Sequence, residues 1–272
     1  MKIPSHELQA FYTLSQIGNF TRAAKALSLS QPAFSQRIKN LESFLEQTLF
    51  TREKSGIHLT PEGEKLLHYV RLQKEIEDEF LNFENSPQLR IAGFSSIMRS
   101  LVLPAISPLV KEYPQMSLEL FTRELDELSP LLRSGQVDFV ITTRENNKEG
   151  YQCHDLGEEE NVLVAHKDHT KHSTFLDHDP NDSTTSSYFA LSNEKPPQHK
   201  LYLDDVYGLR DGVKLGLGRA ILPKHLIRKE KDLVIQRPRT VLREKVFLIH
   251  RDSPYMSEVH KKAKKILSQN LF

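Results

Sequence analysis

The chain has 272 residues, a mass of 31.4 kDa and a formal net charge of +1. This length allows one large or two to three ordinary domains with a sizeable buried core. A content of 38% hydrophobic and 27% charged residues excludes a disordered chain. A single cysteine, Cys153, excludes an intramolecular disulfide framework and cysteine-based metal clusters. No apolar run approaches the roughly 18 residues of a membrane span, and no secretory signal is evident, so we expect a soluble, cytoplasmic protein.

The small net charge is the sum of two unlike segments. Residues 1–60 carry seven Lys/Arg and four Asp/Glu, a net charge of +3, whereas residues 61–87 carry three and seven, a net charge of −4. This reversal predicts that the first sixty residues have a different partner from the segment that follows.

The first sixty residues show three helical patterns in succession. Apolar periodicity predicts a helix from about Ser5 to Ile17, which stops at Gly18. A short amphipathic helix follows over 20–27, and a third helix begins after Ser30, a typical N-cap, with Pro32 in its first turn. Because only a short turn separates the last two helices, the pattern predicts a helix–turn–helix.

The outward face of the third helix is polar without being acidic. Gln36 and Asn40 can present paired donors and acceptors to an adenine edge, Ser35 can bond a base or a phosphate, and Lys39 adds charge for the backbone. The alternative is an ordinary solvated helix face.

The segment after this helix predicts a β-hairpin wing. Residues 49–59 alternate apolar and polar side chains around Ser55 and Gly56. Arg52 and Lys54 near the tip are candidates for the minor groove. Arg52 can equally pair with an acid inside its own domain.

These sixty residues resemble the DNA-binding domain of LysR-type transcriptional regulators. The resemblance is carried by Phe11, residues 18–27, residues 30–35, Ile38, Leu41, Glu42, residues 49–52 and residues 59–63. It implies that Gln31, Pro32, Ser35 and Gln36 lie at the major groove and the wing at the minor groove.

The sequence departs from the family pattern at three positions in this domain. Asn19 replaces a usual Ser and keeps its capping ability. Gln36 replaces a frequent Arg. Glu46 replaces the Gly that usually ends the recognition helix, so we expect that turn to be built differently.

The acidic segment predicts a long linker helix over 61–86. Thr60, Pro61 and Glu62 form a typical helix start. A coiled-coil-like seam then runs along the helix through Tyr69, Leu72, Ile76, Phe80 and Phe83. We expect this seam to pack on a second copy of the chain, giving a dimer or tetramer; the alternative partner is the chain's own second domain.

Residues 88–148 predict a β-α-β-α-β unit with a parallel sheet. Ligands of such sheets bind at the carboxyl ends of the strands. This places Ser95, Ser96, Arg123 and Thr142 around one crevice suited to an anion. Ser95 and Ser96 can alternatively serve only as helix caps.

Residues 88–272 resemble the effector-binding domain of the same family, and residues 212–223 carry the signature of its second half. The resemblance implies two α/β subdomains, similar to periplasmic binding proteins, over 88–148 with 239–272 and over 149–238. The amphipathic helix usual early in the second subdomain has no evident counterpart between 171 and 200.

A turn-rich run over 175–185 stands in that place. Its Asp177 and Thr184 are candidates for one wall of the cleft, facing a cationic or hydroxylated group. Together with the anion-binding crevice, they would suit a zwitterion such as an amino acid. A solvated loop is the alternative.

The whole chain thus predicts a winged helix–turn–helix domain over 1–60, a linker helix over 61–86 and an α/β effector domain over 88–272. We expect a sequence-specific transcriptional regulator of double-stranded DNA at an operator, controlled by a small-molecule effector, with no membrane partner, cofactor, metal or catalysis. The alternatives are a small-molecule binding protein or an enzyme with a degenerate DNA-binding head. A deeply buried carboxylate–histidine pair in the cleft would favour the enzyme.

Overall fold

The computed structural model describes residues 3–53, 56–81, 87–191, 195, 197–237, 240–253 and 255–271. The chain divides into two compact units. The first comprises Met1–Asn85 with Arg133–Gln136, and the second comprises Ser86–Leu132 with Val137–Phe272.

The first unit contains four helices and a hairpin among its described residues. They are α1 (Ser5–Ile17), α2 (Phe20–Ala26), α3 (Gln31–Leu45), β1 (Phe50–Glu53), β2 (Gly56–Leu59) and α4 (Pro61–Leu81). The cap signals act as predicted. Gly18 ends α1 with φ +65°, the Asn19 side chain accepts the N–H of Arg22 at 3.0 Å, and the Ser30 hydroxyl accepts the N–H of Ala33 at 3.3 Å. The buried faces of α1 and α3 form the core, with Phe11, Leu14, Phe34, Ile38 and Leu41 at its centre.

The turn after α3 differs from the expectation drawn from Glu46. This residue has φ +53°, the left-handed conformation that glycine usually supplies at a helix end. The next N–H, that of Gln47, bonds the carbonyl of Glu42 at 3.0 Å. The turn is therefore an ordinary left-handed one, made here with an exposed glutamate.

The predicted wing and linker helix are also present. β1 and β2 pair antiparallel, with Arg52 opposite Ile57. The Thr60 hydroxyl accepts the N–H of Gly63 at 3.0 Å and so caps α4, which begins at Pro61. The described part of the helix ends at Leu81, so the predicted extension to residue 86 lies outside the described residues.

The second unit contains the predicted β-α-β-α-β pattern. Its first elements are β3 (Gln88–Gly93), α5 (Ser95–Ile97), a π-helical turn (Met98–Val102), α6 (Leu103–Glu112), β4 (Ser117–Thr122), α7 (Leu125–Arg133) and β5 (Phe139–Thr142). β3 pairs parallel with both β4 and β5, which confirms the parallel sheet.

The remaining elements continue this sheet and add a small second one. They are β6 (Tyr151–His166), β7 (Phe175–Asp177), α8 (Thr184–Leu191), β8 (Lys200–Tyr202), α9 (Val206–Lys214), β9 (Ala220–Pro223), α10 (Lys224–Ile227), β10 (Leu233–Gln236), β11 (Leu242–Arg251) and α11 (Glu258–Asn270). The main sheet has the order β10-β6-β11-β5-β3-β4, with β9 also paired to β6, and β7 pairs parallel with β8.

Two long antiparallel strands, β6 and β11, connect the two halves of this unit. The first half, with β3, β4, β5 and α11, packs around Ile91, Phe139 and Leu248, and the second half, with β7 to β10, packs around Val164 and Leu222. β6 contributes side chains to both cores, and β11 contributes Val246 and Leu248 to the first.

The segment between 171 and 200 contradicts the expectation that it lacks a helix. α8 occupies Thr184–Leu191 and buries Thr185, Tyr188 and Phe189. β7 also lies within the run predicted to be turns. The sequence does not predict this helix, because it begins with four consecutive Ser and Thr residues, which favour turns and caps.

Candidate functional site

The first candidate site is the outer face of α3. Gln31, Pro32, Gln36 and Lys39 are exposed, and Ser35 is half-buried. The Gln36 Nε2 donates to Asn40 Oδ1 at 2.8 Å, which ties the two amides together along the helix. The structure therefore brings together the side chains that the sequence predicts for the major groove.

The wing is held beside this face at its base. The backbone N–H of Leu49 donates to Glu42 Oε1 of α3 at 2.8 Å. Arg52 lies on β1, whereas Lys54 lies outside the described residues. The Arg52 side chain lies outside the described part of the structure, and its DNA contact and its internal ion pair are both still predictions.

The second candidate site lies at the carboxyl ends of β3, β4 and β5. Gly93 pairs with Thr122 on one side and Ile141 on the other, so the three strand ends are adjacent. Ser95, Arg123 and Thr142 follow or close these strands, as predicted.

The side chains along this edge differ in their exposure and in their hydrogen-bond partners. The Arg123 guanidinium is exposed, lies over the Phe121 ring and donates to the carbonyl of Thr122 at 2.8 Å. The Thr142 hydroxyl is buried and accepts the N–H of Arg144 at 3.2 Å. Among the described residues no side chain caps α5, so neither Ser95 nor Ser96 serves as its cap.

Ser96 is part of a buried hydrogen-bonded network. Ser96 and Glu159 are each 4% exposed, and the Ser96 hydroxyl donates to Glu159 Oε1 at 2.8 Å. His225 Nε2 lies 2.8 Å from the same oxygen, and its Nδ1 lies 2.8 Å from Ser100 Oγ. The network joins the helical segment after β3 with β6 and with α10, so it spans both halves of the second unit.

Tyr207 of α9 completes this network. Its hydroxyl donates to the carbonyl of Ser96 at 3.4 Å, and the Arg99 and Arg210 guanidinium groups lie over its ring, 4.4 and 5.2 Å from the ring centroid. Burial raises the pKa of Tyr207, and the Ser100 hydrogen bond and the two arginines partly offset that rise.

Sequence reasoning missed Ser100, Glu159, Tyr207 and His225. They come from four separate elements, and no local motif links them. One signal was available: three consecutive acids, residues 158–160, stand shortly before the apolar run over 162–165. Because strand side chains alternate, the middle acid must face opposite to its two neighbours.

Asp177 and Thr184 are engaged within the second half itself. Asp177 is 2% exposed and accepts from Thr185 Oγ1 at 2.9 Å and from Lys200 Nζ at 2.6 Å. Thr184 Oγ1 donates to Asp182 Oδ1 at 2.7 Å. The two residues predicted as a cleft wall thus hold the start of α8 and the pairing of β7 with β8.

Further charges gather near the network. Glu244 lies directly opposite Glu159 in the β6–β11 register. Glu244 is an exposed residue, but partial desolvation, then the charges of Glu159 and Asp182, raise its pKa. Burial alone would lower the pKa of His178, but the hydrogen bond to Asp179 and the charges of Glu124 and Asp182 raise it overall.

We expect Glu244→Gln to stabilise the second unit at pH 7 by about 0.5 kcal/mol, because it removes a like charge directly opposite Glu159. The folded pKa of Glu244 is raised, so its protonated form stabilises the fold at low pH and this contribution is lost as the pH rises. The gain should therefore shrink as the pH falls toward 4. Thermal unfolding from pH 4 to 8 measures it, and an equal change at every pH would contradict the explanation.

Two family models match the chain. Residues 5–64 match "Bacterial regulatory helix-turn-helix protein, lysR family", and residues 84–271 match "LysR substrate binding domain". The chain belongs to the LysR family of transcriptional regulators. The first match covers the helix–turn–helix and wing, and the second covers the α/β unit that contains the buried network.

Relatives of this LysR-type regulator carry regulator names. The HTH-type transcriptional regulator CysL of Bacillus subtilis is 23% identical, over 92% of this chain and 89% of its own length. The HTH-type transcriptional regulator HdfR of Yersinia pestis is 28% identical over 70% of this chain, and the match spans 63% of HdfR.

Solved LysR-type structures share the fold over nearly the whole chain. LysG of Corynebacterium glutamicum, with bound effector Arg, has a TM-score of 0.78 at 20% identity, covering 98% of this chain and 97% of its own. ArgP of Mycobacterium tuberculosis has a TM-score of 0.80 at 21% identity, covering 99% of both chains. DarR of Vibrio fischeri, in complex with DNA, has a TM-score of 0.57 at 21% identity, also covering 99% of both. At these identities the likeness confirms the predicted fold class.

None of the helices in the described part of the chain has the length and apolar character of a membrane span. Within the same residues, no three His, Cys, Asp or Glu side chains come together so as to hold a metal ion.

Proposed function

We propose that this LysR-type regulator reads double-stranded operator DNA with the outer face of α3 and senses a small molecule at the strand ends of its second unit. The observation that supports DNA reading best is the exposed row of Gln31, Pro32, Gln36 and Lys39 beside a wing. We propose a cytoplasmic location, because DNA is the ligand.

The Gln36–Asn40 pair is suited to an adenine edge. Adenine presents an N7 acceptor and an N6 donor in the major groove, and a side-chain amide meets both. The Gln36 amide has one N–H engaged by Asn40, which leaves its other N–H and its carbonyl oxygen for the base. Fixing the amide in this way reduces the conformational freedom lost on binding.

Two substitutions on α3 test this function. We expect Lys39→Ala to weaken binding to operator and random duplexes alike and to reduce the slope of log affinity against log salt by about 1. We expect Gln36→Ala to relax discrimination at one base pair by about 1–3 kcal/mol. Fluorescence anisotropy with a duplex from the chain's own promoter region measures both, with Lys65→Ala, an exposed lysine of α4, as the control. Wild-type behaviour of both variants would exclude α3 as the reading helix.

The proposed effector site centres on Ser95, Arg123 and Thr142. Ser96, Asp177 and Thr184 were predicted with them, but their side chains serve partners within the protein. A thermal-shift screen of metabolites, followed by anisotropy of operator binding with each hit, tests the proposal. A ligand for the folded state raises the melting temperature by mass action.

We propose that α4 forms a homodimer contact. Tyr69 and Ile76 lie on the predicted seam and are 48% and 43% exposed in the single chain. Two other residues of the seam are not described: the side chain of Phe80 and the whole of Phe83. Two helix–turn–helix units in one dimer would read half-sites about one helical turn apart, or a multiple of it.

The buried Glu159–His225 pair is the feature that would favour an enzyme, but its surroundings favour a regulator. A nucleophilic serine must give its proton to the histidine. Ser100 Oγ instead donates to the carbonyl of Ser96, so toward His225 Nδ1 it can only accept. We therefore propose that the network is not catalytic.

A further inference from the structure

The side chain of Glu159 is a buried carboxylate with two polar contacts to the same oxygen. Oε1 accepts from the Ser96 hydroxyl and lies within hydrogen-bond distance of His225 Nε2, both at 2.8 Å. Its side chain is 5% exposed and that of His225 is 10% exposed. Burying a carboxylate is costly unless hydrogen bonds compensate it, and these two contacts provide the compensation.

The strand geometry sets Glu159 apart from its acidic neighbours. Glu158 and Glu160 lie on the opposite face of β6, where both contact Arg243 in an exposed setting. Glu159 alone points to the face that carries Ser96 and His225. Its role therefore cannot be exchanged with that of the adjacent acids.

Ser96 and His225 together form a recess that suits a carboxylate. A hydroxyl donor and an imidazole nitrogen converge on one oxygen position, which Glu159 Oε1 occupies. Ser96 and His225 are each held by a second contact. Ser100 Oγ contacts His225 Nδ1, and the Tyr207 hydroxyl donates to the carbonyl of Ser96. The recess is thus preorganised around an oxygen anion.

We propose that Glu159 is a built-in carboxylate ligand that determines effector specificity: it fills the anion position at Ser96 and His225, so the effector places no anionic group there. This inference rests on the proposed effector-sensing function of the same unit. The charges nearby agree with it, because Glu244 and Asp182 would repel an incoming anion. An anionic group of the effector would instead find exposed Arg123 at the same sheet edge.

The test removes the carboxylate and offers a free one. Glu159→Ala in the full-length chain leaves Ser96 and His225 without their acceptor, and acetate matches the lost group. At pH 6.0, where an imidazole can carry a proton on both nitrogens while acetate stays ionised, and at constant ionic strength, acetate at about ten times its dissociation constant should raise the melting temperature of the variant by about 3 °C relative to chloride. Neutral acetamide should have a smaller effect, and wild type should not respond to acetate.

Two further variants make the result specific to this position. Glu158→Ala removes the adjacent acid on the opposite face and should be as insensitive to acetate as wild type. Glu159→Gln keeps an oxygen at the same place and fills the recess, so it should also fail to respond. Equal responses of wild type and Glu159→Ala, or no response in either, would overturn the proposal.

The titration remains informative if Glu159→Ala does not fold. Far-UV circular dichroism then follows the same acetate series, because binding in the recess would be coupled to folding. We expect acetate, and not chloride, to restore the helical signal; no recovery would overturn the proposal. The experiment contains no DNA, so its failure is distinguishable from a failure of operator binding.

Discussion

Asp138→Ala is expected to lower the free energy of unfolding of the second unit by about 3–5 kcal/mol, the usual effect of removing one member of a buried ion pair. Asp138 and Arg90 are both largely buried. Asp138 Oδ2 accepts the Arg90 N–H at 2.7 Å and Arg90 Nε at 3.2 Å. The same oxygen lies 3.3 Å from His260 Nε2 of α11. Alanine would leave a buried guanidinium without this carboxylate.

The effect has a defined pH dependence. Burial alone would raise the pKa of Asp138, but the His260 hydrogen bond and the Arg90 charge outweigh it and hold the pKa below its usual value. A lowered folded pKa stabilises the protein above the unfolded pKa of about 3.9, and the stabilisation is lost as the pH falls further. The difference between wild type and variant should therefore be full at pH 7 and shrink below pH 4.

Urea denaturation at pH 7 and pH 3.5 measures this difference. The control is Asp232→Ala, which removes an exposed ion pair with Lys167 and should change the midpoint little. Equal midpoints for Asp138→Ala and wild type at pH 7 would show that the Arg90–Asp138–His260 cluster does not hold β3 and β5 against α11.

The first unit could be predicted closely because its signals are local. Asn19, Ser30 and Thr60 each accept a backbone N–H three residues later, so a hydroxyl or amide before a helical pattern marks the start. The polar face of α3 follows from helical periodicity in the same way. Glu46 is a position where such local signals fail. Its residue type argues against a left-handed turn, but the structure has that turn.

In the second unit, prediction from the sequence failed where contacts between distant parts of the chain decide the structure. The apolar run over 162–165 predicts a short strand, but β6 extends over 16 residues because its charged first part pairs with β11. α8 opens with four Ser and Thr residues and shows almost no helical periodicity of apolar residues. It is a helix because Tyr188 and Phe189 pack in the core of the second half. Tertiary packing overrides weak local preference in both cases.

Local sequence patterns do not predict the buried network of Ser96, Glu159 and His225, because its members are far apart in the sequence. Ser96 and Glu159 are 63 positions apart, and Glu159 and His225 are 66 apart. Sheet topology predicts that Ser95, Arg123 and Thr142 share an edge, because strand ends follow from strand order. It does not predict which internal carboxylate fills the space beside them.

Gly63→Ala is expected to destabilise the first unit by about 3 kcal/mol and to abolish operator binding at the protein concentrations where wild type is saturated. Alanine normally stabilises a helix interior by about 1 kcal/mol relative to glycine. Here a Cβ at position 63 would lie 2.2 Å from the carbonyl oxygen of Leu49 and 2.9 Å from Leu59 Cδ2. The clash reverses the sign of the effect.

The carbonyl of Leu49 cannot move away without breaking the joint between wing and helix. It accepts the N–H of Thr60 at 3.0 Å, and the N–H of Leu49 is held by Glu42 of α3. Displacing Leu49 would thus disturb the wing and the reading helix together. Chemical denaturation and operator anisotropy measure the two effects, with Lys65→Ala on the same helix as the control. A variant as stable as wild type that still binds DNA would mean that α4 does not pack against the base of the wing.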